Sequence, residues 1–200
     1  PDEVEPALEL PFELPGDDGP RRVTVRLAGR LPLLLGDRSA SVLLGSAVYF
    51  SDAHWLEGAL GHVVLAAAGL RPTAPFRVLV VCPEWQKKPW SPVDLAELEA
   101  APARAYLADL ARDLIVGQWS LLPVEAVLAF QSKDLPSLRQ KVLDLRDDDY
   151  ARASSRYGPL TRWRDFAPPD ETAARTIAER RFGLLRALRQ RAAEQAGGAT

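Results

Sequence analysis

No methionine occurs in the 200 residues, and there is one cysteine, Cys82. A single thiol excludes an internal disulfide and fits a reducing, cytoplasmic setting. With Cys82, His54 and His62 as the whole Cys and His inventory, a zinc site of the usual composition is excluded. The longest apolar run, Val63 to Leu70, is too short to span a bilayer, and no signal peptide precedes it, so no membrane partner is expected. Neither a phosphate loop nor a Gly-x-Gly-x-x-Gly fingerprint is present, which removes Walker-type ATP binding. No Gly-x-Ser-x-Gly elbow supports a serine nucleophile. A chain that begins on Pro1 without any methionine reads as a fragment of a longer subunit.

What remains is enough for a packed domain. A chain of this length buries about 70% of its unfolded surface. The formal net charge is -2, but it is unevenly spread. Residues 1–20 hold seven carboxylates (Asp2, Glu3, Glu5, Glu9, Glu13, Asp17, Asp18) and no Lys or Arg. Residues 150–192 hold ten arginines against Asp165, Asp170, Glu171 and Glu179. A basic segment on a weakly acidic chain suits either phosphate contacts or a solvated helix face.

Periodicity gives the element order. Residues 4–14 alternate and end in Pro15-Gly16-Asp17-Asp18-Gly19-Pro20, a turn. Residues 22–31 alternate cleanly, with Val23, Val25, Leu27, Gly29 and Leu31 on one side. A turn at Gly36-Asp37-Arg38 leads to a third strand over Ala40 to Phe50, so the three strands read as an antiparallel meander. Ser51 or Asp52 can cap a helix from Ala53 to Ala68 that stops at Gly69 and is apolar around most of its circumference. Phe76 to Cys82 reads as a core strand. Pro83 to Trp90 reads as a loop or hairpin tip. The spacing of Leu95, Leu98, Tyr106, Leu110 and Leu114 predicts a helix over 93–116, with Pro102 as a point of interruption. Shorter helices open at Pro123 and Pro136, Asp147-Asp148-Asp149 reads as loop, and residues 150–169 are irregular. A last helix starts at Asp170 and runs to about Gln195, with Ala174, Ala178, Phe182, Leu185 and Leu188 as its stripe. This order predicts α/β with a mixed sheet flanked by helices, in a single domain. Residues 1–20 form an acidic lead-in strand and turn, 21–130 the core, and 131–200 an Arg-rich helical part.

Chemistry-bearing clusters are few. His54 and His62 lie eight residues apart, too far for an i, i+4 ligand pair, and read as structural. Trp85, Lys87, Lys88 and Trp90 place two cations between two aromatics on one loop. Arg152, Arg156, Tyr157, Arg162, Trp163 and Arg164 repeat the mixture later. Cations can meet phosphates and aromatic faces can meet unstacked bases. Packing of these tryptophans under the loops is the competing reading.

Several segments in order resemble the C-terminal domain of RecC (gamma) subunits of bacterial exonuclease V. They are Val25 to Pro32, Trp55 to Gly69, Ala103 to Gly117, Leu121-Leu122-Pro123, Trp163-Arg164 and Arg180 to Leu185. The resemblance spans about residues 20–190, and its specificity lies in order and spacing rather than in one motif. It implies a restriction-endonuclease-like, PD-(D/E)xK-type core. Active relatives of that fold carry an aspartate on a Gly-x-x-Asp strand and an Asp/Glu-x-Lys on the next, which hold Mg²⁺ and support the nucleophile. Here the first strand reads Gly29-Arg30-Leu31-Pro32 and the second runs Leu43 to Phe50 through Ser46 and Ala47. Leu31, Ser46 and Ala47 therefore stand as degenerate nuclease positions, because Mg²⁺ needs oxygen ligands, usually carboxylates. The resemblance thus implies no catalytic residues, metal or cofactor in this domain. It implies a part in binding and splitting double-stranded DNA ends beside RecB-like and RecD-like subunits, within an ATP-dependent helicase-nuclease of recombinational repair. Two alternatives remain: a docking module without DNA contact, and an active nuclease using displaced carboxylates such as Asp52, Glu57 or Glu84.

Overall fold

The computed structural model describes residues 2–35, 38–44, 55–70, 75–81, 90–116 and 170–197. The chain divides into two compact units, residues 1–112 with 184–200, and residues 113–183.

In the first unit, β1 (Asp2–Val4), β4 (Leu31–Leu35), β5 (Ala40–Leu44), β6 (Phe76–Val81) and β7 (Trp90–Leu95) form a five-stranded sheet in the order β1-β4-β5-β6-β7. β2 (Ala7–Leu14) and β3 (Arg21–Ala28) form a separate two-stranded sheet. The protein is α/β with a mixed sheet: β5 and β6 run parallel, and every other pairing is antiparallel. A parallel pair needs a crossover, and helix α1 (Leu56–Ala67) supplies it between β5 and β6.

β2 and β3 follow from alternation and a turn. Leu8, Leu10 and Phe12 are buried while Glu9, Pro11 and Glu13 are exposed. The turn is closed by Gly19 N–H donating to the Gly16 carbonyl at 3.1 Å, with Gly19 at φ +117, a conformation glycine adopts without strain. The meander expectation fails at the next step. β3 ends at Ala28, and Leu31 opens a different strand that pairs with β1 and β5. The alternation keeps its parity across Gly29-Arg30, so the break leaves no mark in the hydrophobic pattern. Residues 45–50, the expected remainder of the third strand, lie outside the described residues.

Helix α1 presses on the sheet. Ala59, Val63 and Leu65 are fully buried, as is Trp55 at its N-cap. The sequence supplies a glycine where the helix closely approaches β6: a Cβ at Gly58 would lie 2.6 and 2.8 Å from the two Val78 methyls. The N-cap is Trp55, which forms no side-chain cap bond; Ser51 and Asp52, the expected caps, lie outside the described residues. The C-terminus behaves as expected. Gly69 at φ +72 donates to Ala66, and Leu70 donates to Leu65 at 2.9 Å, a Schellman closure.

Val93 and Leu95 were expected in a helix and instead belong to β7. They alternate with Asp94, so both are buried while Asp94 meets Arg77 across the pair. Helix α2 (Ala100–Ile115) starts later. Ala103 N–H donates to the Glu99 carbonyl, which puts Pro102 in the first turn, where a missing N–H costs nothing. Ala103, Tyr106 and Leu107 form its buried face, and burial pushes the Tyr106 phenol up.

Helix α3 (Glu171–Gly197) is capped as expected, with Ala173 N–H donating to Asp170 Oδ1 at 2.8 Å. Leu185, Leu188 and Ala192 are buried in the first unit, and Ile177 and Ala178 in the second. Phe182 is half-buried. Ala96 N–H donates to the Leu188 carbonyl at 3.0 Å, fixing the end of β7 to this helix. The helices expected at Pro123 and Pro136, the Asp147–Asp149 loop and the irregular stretch 150–169 all lie outside the described residues.

Candidate functional site

The first cluster lies where β6 and β7 converge. Their register runs from Phe76 opposite Leu95 to Val81 opposite Trp90. Phe76, Val78 and Val80 point into the core, so Arg77, Leu79 and Val81 share the other face. Arg77 and Asp94 meet there as a bidentate pair, at 2.5 Å from Nε and 2.8 Å from Nη2. Hydrogen bonding to Asp94, then its charge, holds the Arg77 guanidinium above its ordinary range. The pair is solvent-exposed, so it fixes register more than it adds stability.

Residues 82–89 connect the two paired strands. Trp85, Lys87 and Lys88 fall within that segment, outside the described residues. Trp90 was expected on the loop and instead opens β7, because its backbone pairs with Val81. Arg152, Arg156, Tyr157, Arg162, Trp163 and Arg164 also lie outside the described residues.

Of the degenerate nuclease positions, Leu31 is described. It sits at the start of β4, half-buried, on a strand adjacent to β5. A Cβ on Gly61 of α1 would meet its Cδ2 at 3.8 Å, so Leu31 packs beneath the helix as an apolar group. Ser46 and Ala47 lie outside the described residues. Among the displaced-carboxylate candidates, Glu57 is exposed on α1, and Asp52 and Glu84 lie outside the described residues. Among the described residues, no three His, Cys, Asp or Glu side chains gather as metal ligands, and no helix is long and apolar enough to cross a membrane.

His62 occupies a core position, as the structural reading expected; His54 lies outside the described residues. The His62 ring stacks on Phe76 at 4.7 Å between centroids and 21° between planes. Its Nε2 lies 3.1 Å from the Ala96 carbonyl, which can only accept, so Nε2 carries the proton. Nδ1 is buried without a partner. Burial lowers the imidazole pKa, and the bond to Ala96 opposes this in part.

Two arrangements escaped sequence reasoning. On the exposed face of the β2–β3 hairpin, Glu9 stands opposite Arg26 and Glu13 opposite Arg22. Just beyond the strand ends, Glu5 and Arg30 continue the same register with a 3.1 Å ion pair. The signal was present: carboxylates at 5, 9 and 13 and arginines at 22, 26 and 30 share a four-residue spacing across one turn. The second arrangement lies in the second unit. Asp113, 8% exposed at its side chain, meets Arg180 Nη2 at 2.7 Å and Arg181 Nε at 3.1 Å. Arg180 also lines an open depression of about 520 Å³, with Arg175, Thr176 and Glu179 among the described residues. A separation of 67 residues gave no local pattern from which to read that contact.

No protein-family model, curated protein or solved structure matches this chain.

Proposed function

We propose that the chain is a non-catalytic DNA-handling domain of a RecC-like subunit, built on a nuclease-type core that has lost its metal-binding residues. In this reading it acts beside RecB-like and RecD-like partners at double-stranded DNA ends. The observation that carries it is the β6–β7 pairing. Val81 opposite Trp90 puts the two residues that flank segment 82–89, whose sequence includes Trp85-Gln86-Lys87-Lys88, at one end of the sheet. Two ammonium groups there would meet the phosphates, and Trp85 would meet the end of the base stack.

The strand order supports the nuclease-type core. β4 and β5 are antiparallel neighbours, and α1 then crosses to a parallel β6. On the Gly-x-x-Asp pattern the aspartate position would fall at Pro32, next to Leu31, which packs under α1. An apolar group there supplies no oxygen ligand for Mg²⁺. Cutting would then fall to another subunit, and this domain would bind and part the duplex.

The test is fluorescence anisotropy of a labelled blunt duplex titrated with the chain and with a Lys87→Ala/Lys88→Ala variant. The variant should bind several-fold more weakly at low salt. Equal affinity at low salt would remove segment 82–89 from the DNA interface and leave the docking reading.

A further inference from the structure

The described strands leave four sheet edges: β1 and β7 on the larger sheet, β2 and β3 on the smaller. Exposed edges invite pairing with other chains, and proteins commonly blunt them with short strands or proline. Three of the four follow that rule. β1 is three residues long. β7 carries Pro92 at its third position. β2 carries Pro11 near its middle, and a proline in a paired strand turns its missing N–H away from the partner, onto the open edge.

β3 departs from the rule. It is eight residues long, Arg-Arg-Val-Thr-Val-Arg-Leu-Ala, without proline or glycine. Among the described elements it pairs with β2 alone. Its apolar face is incompletely covered: Val23 and Val25 are half-buried and Leu27 is 37% exposed, whereas Leu8, Leu10 and Phe12 opposite them on β2 are 2%, 2% and 6% exposed. Its other face is basic, with Arg22 and Arg26 four residues apart.

We propose that the open edge of β3 accepts an added strand from another polypeptide, an extended segment that alternates carboxylate and apolar side chains. The chemistry is that of β2 itself, which lays Glu9 and Glu13 against Arg26 and Arg22 and sets Leu8, Leu10 and Phe12 on the reverse face. An added strand would repeat this on the other side. Its carboxylates would meet the same two guanidiniums, and its apolar residues would extend cover over Val23, Val25 and Leu27. A second copy of β3 fits poorly. Antiparallel self-pairing centred on Thr24 places Arg22 opposite Arg26 of the other copy, and like charges directly opposite repel. The arginines thus discourage self-pairing in that register and favour an acidic occupant.

The probe is an eight-residue peptide alternating Val and Glu, blocked at both ends, with its Val-Lys counterpart as control. Hydrogen exchange of the whole chain is followed by mass spectrometry while anisotropy of labelled peptide gives affinity. The Val-Glu peptide should bind and slow exchange in residues 21–28 at about half of the amides, because alternate N–H groups face the open edge. The Val-Lys peptide should not bind. Arg22→Gln/Arg26→Gln should weaken Val-Glu binding about fivefold while residues 7–14 keep their protection, which separates impaired recognition from an unfolded hairpin. Binding that ignores peptide charge, or a Val-Glu complex without added protection in 21–28, overturns the proposal. So does protection of 21–28 by duplex DNA with no effect of either peptide.

Discussion

Gly58→Ala is the substitution that most sharply probes how α1 meets the sheet. In an exposed helix interior this change stabilises by about 1 kcal/mol through backbone propensity. Here the new methyl would stand 2.6, 2.8 and 3.2 Å from Val78 Cγ1, Cγ2 and Cβ. Val78 is fully buried on β6, and its short branched side chain has no flexible end to swing aside. Relief requires moving the helix or the strand, and overpacking of this kind costs about 1–3 kcal/mol. With approaches this close the upper part of that range applies, so net destabilisation should be about 1–2 kcal/mol. For a chain of this length that lowers Tm by roughly 3–6 °C. Urea unfolding monitored by circular dichroism should show a lower midpoint at an unchanged slope. Adding Val78→Ala removes both methyls, so the double variant should be more stable than the sum of the single effects by about 1–2 kcal/mol. A Gly58→Ala protein more stable than wild type, or strictly additive effects, would refute the packing of α1 on β6.

Two further predictions concern buried groups and helix ends. Because burial lowers the His62 pKa in the folded state, the unfolded chain takes up its proton first as pH falls. The histidine's contribution is therefore complete above about pH 6.5 and is lost below it at up to about 1.4 kcal/mol per pH unit, down to the folded-state pKa. His62→Gln should flatten the dependence of stability on pH between 7 and 5, and equal slopes in urea titrations would show that the imidazole is not desolvated. Asp170→Ala removes the acceptor of the Ala173 N–H and should cost about 1 kcal/mol, with faster hydrogen exchange in residues 171–177, whereas Asp170→Asn should cost much less.

Where the fold was legible, local chemistry carried the signal. The Schellman end at Gly69, the Asp170 cap, the Gly16–Gly19 turn and the Phe76–Val81 strand each rest on residues within one or two turns of one another. The errors came where two patterns overlap. Val93-Asp94-Leu95 has strand alternation, yet Leu95 and Leu98 also match helical spacing, and pairing with β6 settles residues 93–95 as strand. Likewise, alternation ran unbroken from Val23 to Leu31, but Gly29-Arg30 passes the chain from one sheet to another. The Glu5–Arg30 ladder was readable once strand register was known, since a two-residue period fixes which side chains face each other. The Asp113–Arg180–Arg181 cluster was not readable, because nothing local ties an aspartate to arginines 67 and 68 residues away. Trp85, Lys87 and Lys88 were found by composition, which names the chemistry of a segment without placing it.

The most direct test of DNA handling without cutting is the salt dependence of duplex binding, measured in the presence of Mg²⁺ with substrate length followed on a gel. Wild-type affinity should fall steeply with salt while the DNA keeps its full length. Lys87→Ala/Lys88→Ala should reduce the log–log slope by about 2, close to 0.9 for each phosphate that a lysine no longer neutralises. Shortened DNA, or a slope unchanged by removing both lysines, would contradict the account.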